Sequence, residues 1–370
     1  MKFLYTFLLM PLISMAFMFT SHKTSAQEVI PHDWNDKVEQ KFERDAPLEV
    51  VIWDRKLAAR ERDGADQMRD SWASNYWLCR SESDPAVGAC STRRVWNQPS
   101  ETEIKLLFSE ARSKMTQVLT VSAIRWYGNT TSSINSSRWH PSLNVNLSAK
   151  ISENELKRLP AGGVWKASLR LVQYHQRGYG ADRGSVQVAE TNADIILHVT
   201  DTKNVQIFLP EYNTTTPTVD LSLVGQVSRA GRTTGRRNID MCLYDGFGSN
   251  SSWFDVTVKD DQSIPQRALG SFSVIRDGTS GQTPRERIDY GVTFLHNGLR
   301  TSLNNGGTIR LLGGNNTEVR PVYLPNIPVP VLCKPMPLTL ETPEFNAKDK
   351  LAGSYTGKLR IIFSPSAQSL

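Results

Sequence analysis

The chain has 370 residues, and its 43 basic and 37 acidic residues give a formal net charge of +6. A charge this small over this length gives no support for nucleic-acid binding, which needs basic residues concentrated on one face. The length suits two domains of ordinary size. Beyond the first 26 residues, no stretch is apolar for long enough to cross a bilayer.

The start of the chain predicts a secretory signal peptide that ends at residue 26. Lys2 supplies the positive charge, residues 3–19 form an apolar core, and residues 24–26 are the small residues expected before a cleavage point. The apolar run is too short to favour a membrane anchor. Cleavage would also remove Lys23, leaving an exported, soluble chain that begins at Gln27 with a net charge of +4.

Helix signals are rare in the first half of the chain. Residues 36–62 are charged but interrupted by a proline, and residues 101–119 fit either a helix or two strands. Residues 152–159 predict a short helix, with Ser152 as the N-cap and Glu155 completing a capping box. The remaining apolar segments are short and lie between turn residues at regular intervals. This pattern predicts an all-β protein built from β-sandwiches.

A polar, β-branched run between Pro210 and Pro217 has no apolar periodicity and predicts a linker. We assign the strand at residues 205–209 to the end of the first domain and the strand at residues 219–224 to the start of the second. The predicted units are a first domain of residues 27–212, a linker of residues 213–216 and a second domain of residues 217–370.

The end of the chain contains a run in which apolar and small residues occupy every second position: Tyr355, Gly357, Leu359, Ile361 and Phe363. Strict alternation predicts a β-strand with one buried face. Few residues follow it that could pair with its far edge. We therefore expect either an ordinary last strand, or a sheet edge that waits for a strand from another chain.

Four cysteines lie beyond the signal peptide, and an even count in an exported chain predicts disulfides. Three pairings are open. We favour Cys79–Cys90 and Cys242–Cys333, because the members of each pair lie in the same half of the chain. Neither pair has the close spacing of zinc ligands and no histidine pair accompanies them, so we expect no metal site.

The motifs of common catalytic sites are missing from the sequence. There is no G-x-S-x-G, no H-E-x-x-H and no phosphate-binding glycine loop. Asp260 and Asp261 are adjacent, and neighbouring carboxylates on a strand point to opposite faces, which favours a solvated turn over an acid–base pair. We expect no enzyme activity and no cofactor. A secreted glycosidase with acids from distant positions remains an alternative.

Two basic runs have more than one interpretation. Residues 229–237 predict a hairpin loop whose charges are simply solvated. Residues 174–183 place arginines beside tyrosines and a glutamine, a combination that can bind anionic sugars by forked hydrogen bonds and ring stacking, or can again be solvated loop charge. The aromatic run Trp72, Tyr76 and Trp77 is more typical of a core than of a sugar platform.

Several separated motifs together indicate a family: residues 159–165 (LPAGGVW), 204–210 (NVQIFLP), 238–246 (NIDMCLYDG), 250–252 (NSS), 328–333 (PVPVLC) and the tail from residue 353. The chain resembles the minor tip adhesins of colonization factor antigen I type, the CblD-like (class 5) family of chaperone–usher fimbriae. The similarity covers most of the mature chain in order and is densest in the second half.

The resemblance implies two immunoglobulin-like β-sandwiches in tandem, an N-terminal adhesin domain and a C-terminal pilin domain that lacks its last strand. It implies a periplasmic chaperone that lends a strand, an outer-membrane usher, and a major pilin that replaces the chaperone strand at the fimbrium tip. A groove lined by Tyr355, Leu359, Ile361 and Phe363 would then receive the donor strand.

The same resemblance implies a host-cell glycan or glycoprotein receptor. Enteric members carry an arginine cluster on the adhesin domain, where this chain has Ser74, His175 and Gln176. Neighbouring residues would take that role, and the predicted receptor-binding set is Arg69, Tyr174, His175, Arg177, Tyr179 and Arg183. A structural tip protein that initiates the fibre without binding a receptor is the closest alternative.

Overall fold

The computed structural model describes residues 27–61, 72–138, 144–177, 184–212, 214–225, 231–264, 267–313 and 318–366. The predicted signal peptide lies outside the described residues. Within them the chain forms twenty-four strands, one α-helix and a few short 3-10 turns. The all-β class predicted from the sequence is confirmed.

The first domain is built from nine strands and the helix. The strands are β1 (Trp34–Glu43), β2 (Val50–Arg60), β3 (Asn75–Cys79), β4 (Thr102–Glu110), β5 (Thr116–Tyr127), β6 (Thr130–Ser132), β7 (Asn144–Ile151), β8 (Gly163–Gln176) and β9 (Ser185–Thr200), and the helix is α1 (Glu153–Leu156). One sheet joins them in the order β1-β9-β8-β4-β5-β7-β2, with β3 paired to β8 and β6 to β5. The β1–β9 pair is parallel.

This sheet curls so that its two edge strands meet across the core. The Trp34 ring on β1 lies 5.9 Å from the Trp53 ring on β2, and the Trp53 indole donates to the Asp36 carboxylate at 2.7 Å. The two stretches with helical features in the sequence, 36–62 and 101–119, form strands over most of their described residues. Residues 101–119 contain β4, which buries Ile104, Leu106 and the next two even-numbered residues, and the start of β5, which buries odd-numbered residues from Leu119 onward, so each strand buries one face with period two.

The predicted helix at residues 152–159 forms over a single turn. Ser152 Oγ accepts from the Glu155 main-chain N at 3.4 Å, as expected for an N-cap. The Glu155 carboxylate does not complete the capping box. It accepts instead from the main-chain N of Thr120 on β5 at 2.6 Å, so it anchors the helix to the sheet.

The second domain contains the remaining fifteen strands. They are β10 (Gln206–Phe208), β11 (Leu223–Gly225), β12 (Arg232–Ile239), β13 (Cys242–Tyr244), β14 (Trp253–Asp260), β15 (Phe272–Arg276), β16 (Arg287–His296), β17 (Leu299–Leu303), β18 (Thr308–Leu312), β19 (Arg320–Val322), β20 (Val331–Pro335), β21 (Leu338–Glu341), β22 (Phe345–Asn346), β23 (Tyr355–Thr356) and β24 (Leu359–Pro365).

Two sheets of this domain pack face to face. The larger has the order β11-β12-β21-β16-β15-β23, with β17 on β16 and β22 on β12, and the smaller has the order β18-β14-β24. Phe254 and Val256 of β14 share one buried core with Val292 and Phe294 of β16. A third sheet, β10-β13-β20-β19, lies beside the first domain.

Both predicted disulfides are confirmed. Cys79–Cys90 joins the end of β3 to the following loop with a Cα–Cα distance of 5.3 Å. Cys242–Cys333 joins β13 to β20 with a Cα–Cα distance of 5.7 Å. Both distances lie in the ordinary range for the bond.

The junction between the domains lies earlier in the chain than the linker predicted from the sequence. β10, which we assigned to the first domain, pairs with β13 of the second, with Gln206 opposite Tyr244. The break between the two units therefore falls between β9 and β10, and residues 214–216 follow it. Residue 213 lies outside the described residues. Strand pairing across the junction depends on distant residues, which local composition does not report.

A buried carboxylate and a close backbone contact join the domains. Glu110, fully buried at the end of β4, accepts from the main-chain N of Ser113 and Val164 and from Asn250 Nδ2 of the second domain at 3.2 Å. Gly162 lies directly against the same loop, since a Cβ atom there would come within 2.0 Å of the Gly246 carbonyl oxygen.

Candidate functional site

β8 begins at the junction between the domains. Its first residue, Gly163, follows the junction glycine, and its fourteen residues extend about 45 Å at roughly 3.3 Å each. The last residue of β8, Gln176, therefore lies at the end of the domain away from the second domain. We call the residues around this end of β8, 72–76, 91–98, 133–138 and 174–177, the distal end.

Three of the six predicted receptor residues, Arg69, Tyr179 and Arg183, lie outside the described residues. Tyr174 and Arg177 lie on the surface of the distal end. The half-buried Tyr174 ring stacks on Tyr76 at a centroid distance of 5.7 Å, and Arg177 is exposed.

His175 points the other way. Inward positions alternate along β8, so its ring is only 5% exposed and lies 4.8 Å from the Trp72 ring, with Nδ1 2.7 Å from Asn75 Oδ1. We therefore remove His175 from the proposed contact residues. Its hydrogen bond to the first residue of β3 gives it a structural role.

Sequence reasoning missed an arginine that the fold brings to this place. Arg94 Nη1 donates to Gln176 Oε1 at 2.6 Å and to Ser137 Oγ at 2.9 Å. Each of these partners has an exposed arginine as its next residue, Arg177 and Arg138 respectively. We call Arg94, Arg138 and Arg177 the distal arginine cluster. The sequence feature that could have placed Arg94 here is the Cys79–Cys90 disulfide. It holds the segment after Cys90 close to β3, which pairs with β8.

The segment that carries Arg94 is held by main-chain and side-chain bonds. The Val95 main-chain N donates to Asn135 O at 3.0 Å, and the Ser137 N donates to Val95 O at 2.9 Å. Asn135 Nδ2 donates to Arg93 O at 2.9 Å, and Ser136 Oγ donates to Trp96 O at 3.2 Å. The segment therefore presents Arg94 from a fixed backbone.

Arg125 is a buried residue that hydrogen-bonds the main chain of the distal end. It is fully buried on β5, where Nε donates to Asn75 O at 2.6 Å and Nη2 donates to Ala73 O. Its guanidinium lies 4.5 Å from the Tyr127 ring, and burial lowers the pKa of the group to about 9. These bonds fix the chain where it enters β3.

The second region of interest is β24. It pairs with β14 along one edge, and no strand of the described residues pairs with its other edge. Leu359, Ile361 and Phe363 are half-buried and pack against the domain core, with the Phe363 ring stacked 5.8 Å from Phe254. An apolar face is therefore only partly covered beside an unpaired edge.

Tyr355 does not belong to this face. The predicted continuous strand is interrupted after Thr356, and Tyr355 lies in β23, which pairs with β15 of the opposite sheet. Its hydroxyl donates to Leu351 O at 2.6 Å. The interruption reflects close packing, because a Cβ at Gly357 would lie 3.0 Å from the Ser273 carbonyl oxygen.

The two aspartates considered for acid–base chemistry are held in ion pairs. Asp260 accepts from Arg267 at 2.6 Å and from the main-chain N of Ser273 at 3.0 Å. Burial alone would raise the pKa of Asp260, but these hydrogen bonds hold it below its usual value. Asp261 pairs with Arg360 at 3.3 Å.

The basic run at residues 229–237 is not an open loop where it is described. From Arg232 it forms β12, with Arg232 and Arg237 paired to Glu344 and Glu211. In the part of the chain that the structure describes, no helix is long and apolar enough to span a membrane. The same part contains no cluster of three or more side chains suited to a metal ion.

Comparison with known proteins gives the family. The family models for the first and second domains of CfaE, a subunit of CFA/I fimbriae, match residues 23–202 and 205–367. The CfaE protein of Escherichia coli CFA/I fimbriae is 30% identical over 311 residues, which cover 80% of this chain and 81% of that protein. The chain belongs to the CfaE family of CFA/I fimbrial subunits. The resemblance inferred from the sequence motifs is thus confirmed.

Solved structures agree with this assignment. The crystal structure of CfaE, the adhesive subunit of CFA/I fimbria of enterotoxigenic Escherichia coli, has a TM-score of 0.78 at 26% identity and covers 92% of this chain and 95% of that one. A chaperone–tip adhesin complex of CFA/I fimbriae has a TM-score of 0.65 at 26% identity and covers 93% and 99%. This CfaE-like protein therefore has the two-domain architecture of a fimbrial adhesin.

Proposed function

We propose that this CfaE-like protein is a non-enzymatic tip adhesin whose first domain binds a host-surface glycan or glycoprotein and whose second domain joins it to the fibre. The observation that carries the proposal is that two different surfaces lie on different domains of the molecule. Exposed arginines and the half-buried Tyr174 lie at the distal end, about 45 Å of β8 away from the junction with the second domain. The partly covered apolar face of β24 lies on the second domain.

The receptor-binding role is supported by the exposed groups of the distal end. The half-buried Tyr174 lies on β8, and the exposed Arg177 directly follows the last residue of that strand. Arginine and tyrosine combine hydrogen bonding with stacking, which suits recognition of a sugar ring. We propose Tyr174, Arg177, Arg94 and Arg138 as receptor contacts, and we keep Arg69, Tyr179 and Arg183 as proposed contacts from the sequence.

The joining role is supported by β24. Leu359, Ile361 and Phe363 occupy every second position of β24 and so lie on one face. A strand donated by another chain could pair beside β24 and pack its own alternate side chains against that face. We propose that a periplasmic chaperone supplies the donor strand during export. The N-terminal extension of the major pilin then replaces the chaperone's strand after passage through an outer-membrane usher. The protein would then stand at the fimbrium tip on the cell surface.

The receptor role is tested with fibres assembled around Tyr174→Ala and Arg177→Ala variants. We expect normal fibre number by electron microscopy and at least tenfold fewer bound host cells, because Arg177 is exposed and Tyr174 is half-exposed, so each change removes a surface contact. Arg170→Ala is the matched control, since Arg170 lies midway along the same strand and pairs with Asp194. Unchanged adhesion in both variants would favour a purely structural tip protein.

A further inference from the structure

We infer that Met115 is an oxidation-sensitive contact at the junction of the two domains, and that a peroxide loosens this junction by converting the Met115 thioether to the sulfoxide. This modification site is separate from the proposed receptor and donor-strand roles, because it depends only on the exposure and the packing of Met115.

Met115 differs in exposure from the other methionines of the described residues. Its side chain is half-buried in the turn between β4 and β5, whereas Met241 and Met336 of the second domain are fully buried. A thioether is oxidised only where the oxidant reaches its sulfur, so susceptibility follows exposure. We therefore expect a peroxide to modify Met115 before either buried methionine.

The Met115 side chain packs against two hydrophobic clusters. One is the core of the first domain, and the other joins Ala161 of the first domain to the third sheet of the second, around the Cys242–Cys333 disulfide. In the described part of the chain, Met115 is the one half-buried apolar residue that contacts both clusters. A flexible thioether suits an irregular gap of this kind. A change in the polarity of this side chain therefore acts on the junction.

The main chain of Met115 is held in place on both sides of the residue. Its carbonyl oxygen accepts from the Glu110 main-chain N at 2.8 Å, and its own N donates to Ser113 Oγ at 3.3 Å. Glu110 in turn accepts from Asn250 Nδ2 of the second domain at 3.2 Å. Because the backbone is fixed, a side chain that no longer fits at position 115 must leave its contacts or force the domains apart.

The modification is a transfer of one oxygen atom. A lone pair of the sulfur attacks one oxygen of hydrogen peroxide, an S–O bond forms, the O–O bond breaks, and the departing hydroxide takes the remaining proton and leaves as water. The sulfur is oxidised by two electrons and the peroxide is reduced. The product carries a polar acceptor where an apolar group was packed, and an acceptor buried without a donor is unfavourable. The Glu110 carboxylate, which is bonded to the same turn, offers only further acceptor oxygens.

The test exposes the full mature chain to hydrogen peroxide and follows each methionine by peptide mass spectrometry. Met68, which lies outside the described residues, is replaced by leucine in every protein. Met115→Leu is the matched control, because leucine keeps the apolar packing and is not oxidised. Met115→Gln places a polar group of similar length there without any oxidant. Thermal unfolding is measured together with amide hydrogen exchange at Asp201, whose N–H donates to Gly246 O across the junction at 2.8 Å.

We expect Met115 to gain its oxygen about tenfold faster or more than Met241 and Met336. The oxidised protein and Met115→Gln should have a Tm lower by about 2 to 8 °C and a faster exchange of the Asp201 amide. Peroxide should leave both quantities unchanged in Met115→Leu. Equal oxidation rates at the three methionines, or an oxidised Met115 with unchanged Tm and Asp201 exchange, would overturn the inference. An equal loss of Tm in peroxide-treated Met115→Leu would overturn it as well.

Discussion

At the residue scale, Lys334 is a buried lysine whose charged form is destabilised by burial. It lies on β20 at 2% exposure, with Nζ bonded to Leu312 O at 3.2 Å and 5.1 Å from the Phe254 ring, and no described carboxylate pairs with it. Burial, and then the neighbouring Arg112, lower the pKa of Lys334 to about 8. The domain therefore carries an unfavourable cation at neutral pH.

This predicts that Lys334→Met raises the free energy of unfolding at pH 7 by about 2 to 3 kcal/mol. In the unfolded chain the lysine keeps its proton to about pH 10.5, so the unfolded state binds more protons between pH 8 and 10.5. Wild-type stability should rise with pH across that window, and the variant should lack this rise. Urea unfolding of both proteins from pH 7 to 10 tests it, and parallel pH profiles would contradict it.

At the element scale, local patterns predicted some features and missed others. The cap of α1 and the alternation in β4 and β5 depend on residues that are neighbours in the sequence, so local patterns could predict them. The transfer of the chain between sheets at Gly357, the pairing of β10 with β13 and the contact of Arg94 with Gln176 depend on residues brought together only by the whole fold. Only the disulfide of Cys90 pointed toward the last of these.

The loop between α1 and β8 gives a prediction at this scale. Gly162→Ala should lower the free energy of unfolding by about 1 to 3 kcal/mol, because the new methyl would overlap the carbonyl oxygens of Gly246 and Val199. Gly225→Ala is the control, since no atom of the described residues lies within 4 Å of its added methyl. Differential scanning calorimetry tests the pair, and equal melting temperatures would show that the junction has room to adjust.

At the scale of the whole molecule, the two proposed binding roles fall on different domains. The first domain carries exposed charge at its distal end, and the second carries the apolar strand β24, whose second edge pairs with no strand of the described residues. The domains meet through the buried Glu110 and the contact at Gly162, so the two proposed binding surfaces lie on different parts of one connected structure. Only part of the distal surface could be predicted from the sequence, because its arginines come from three separate segments.

The donor-strand claim is the most direct to test, by thermal unfolding of the mature chain with a peptide matching the N-terminal extension of the major pilin. At one hundred times its dissociation constant, a bound peptide should stabilise the second domain by about 2.7 kcal/mol, which raises Tm by roughly 5 to 10 °C. Ile361→Ser should abolish the increase, whereas Ile362→Ser, on the exposed face of the same strand, should retain it. A peptide that leaves Tm unchanged, or an increase insensitive to Ile361→Ser, would contradict the account.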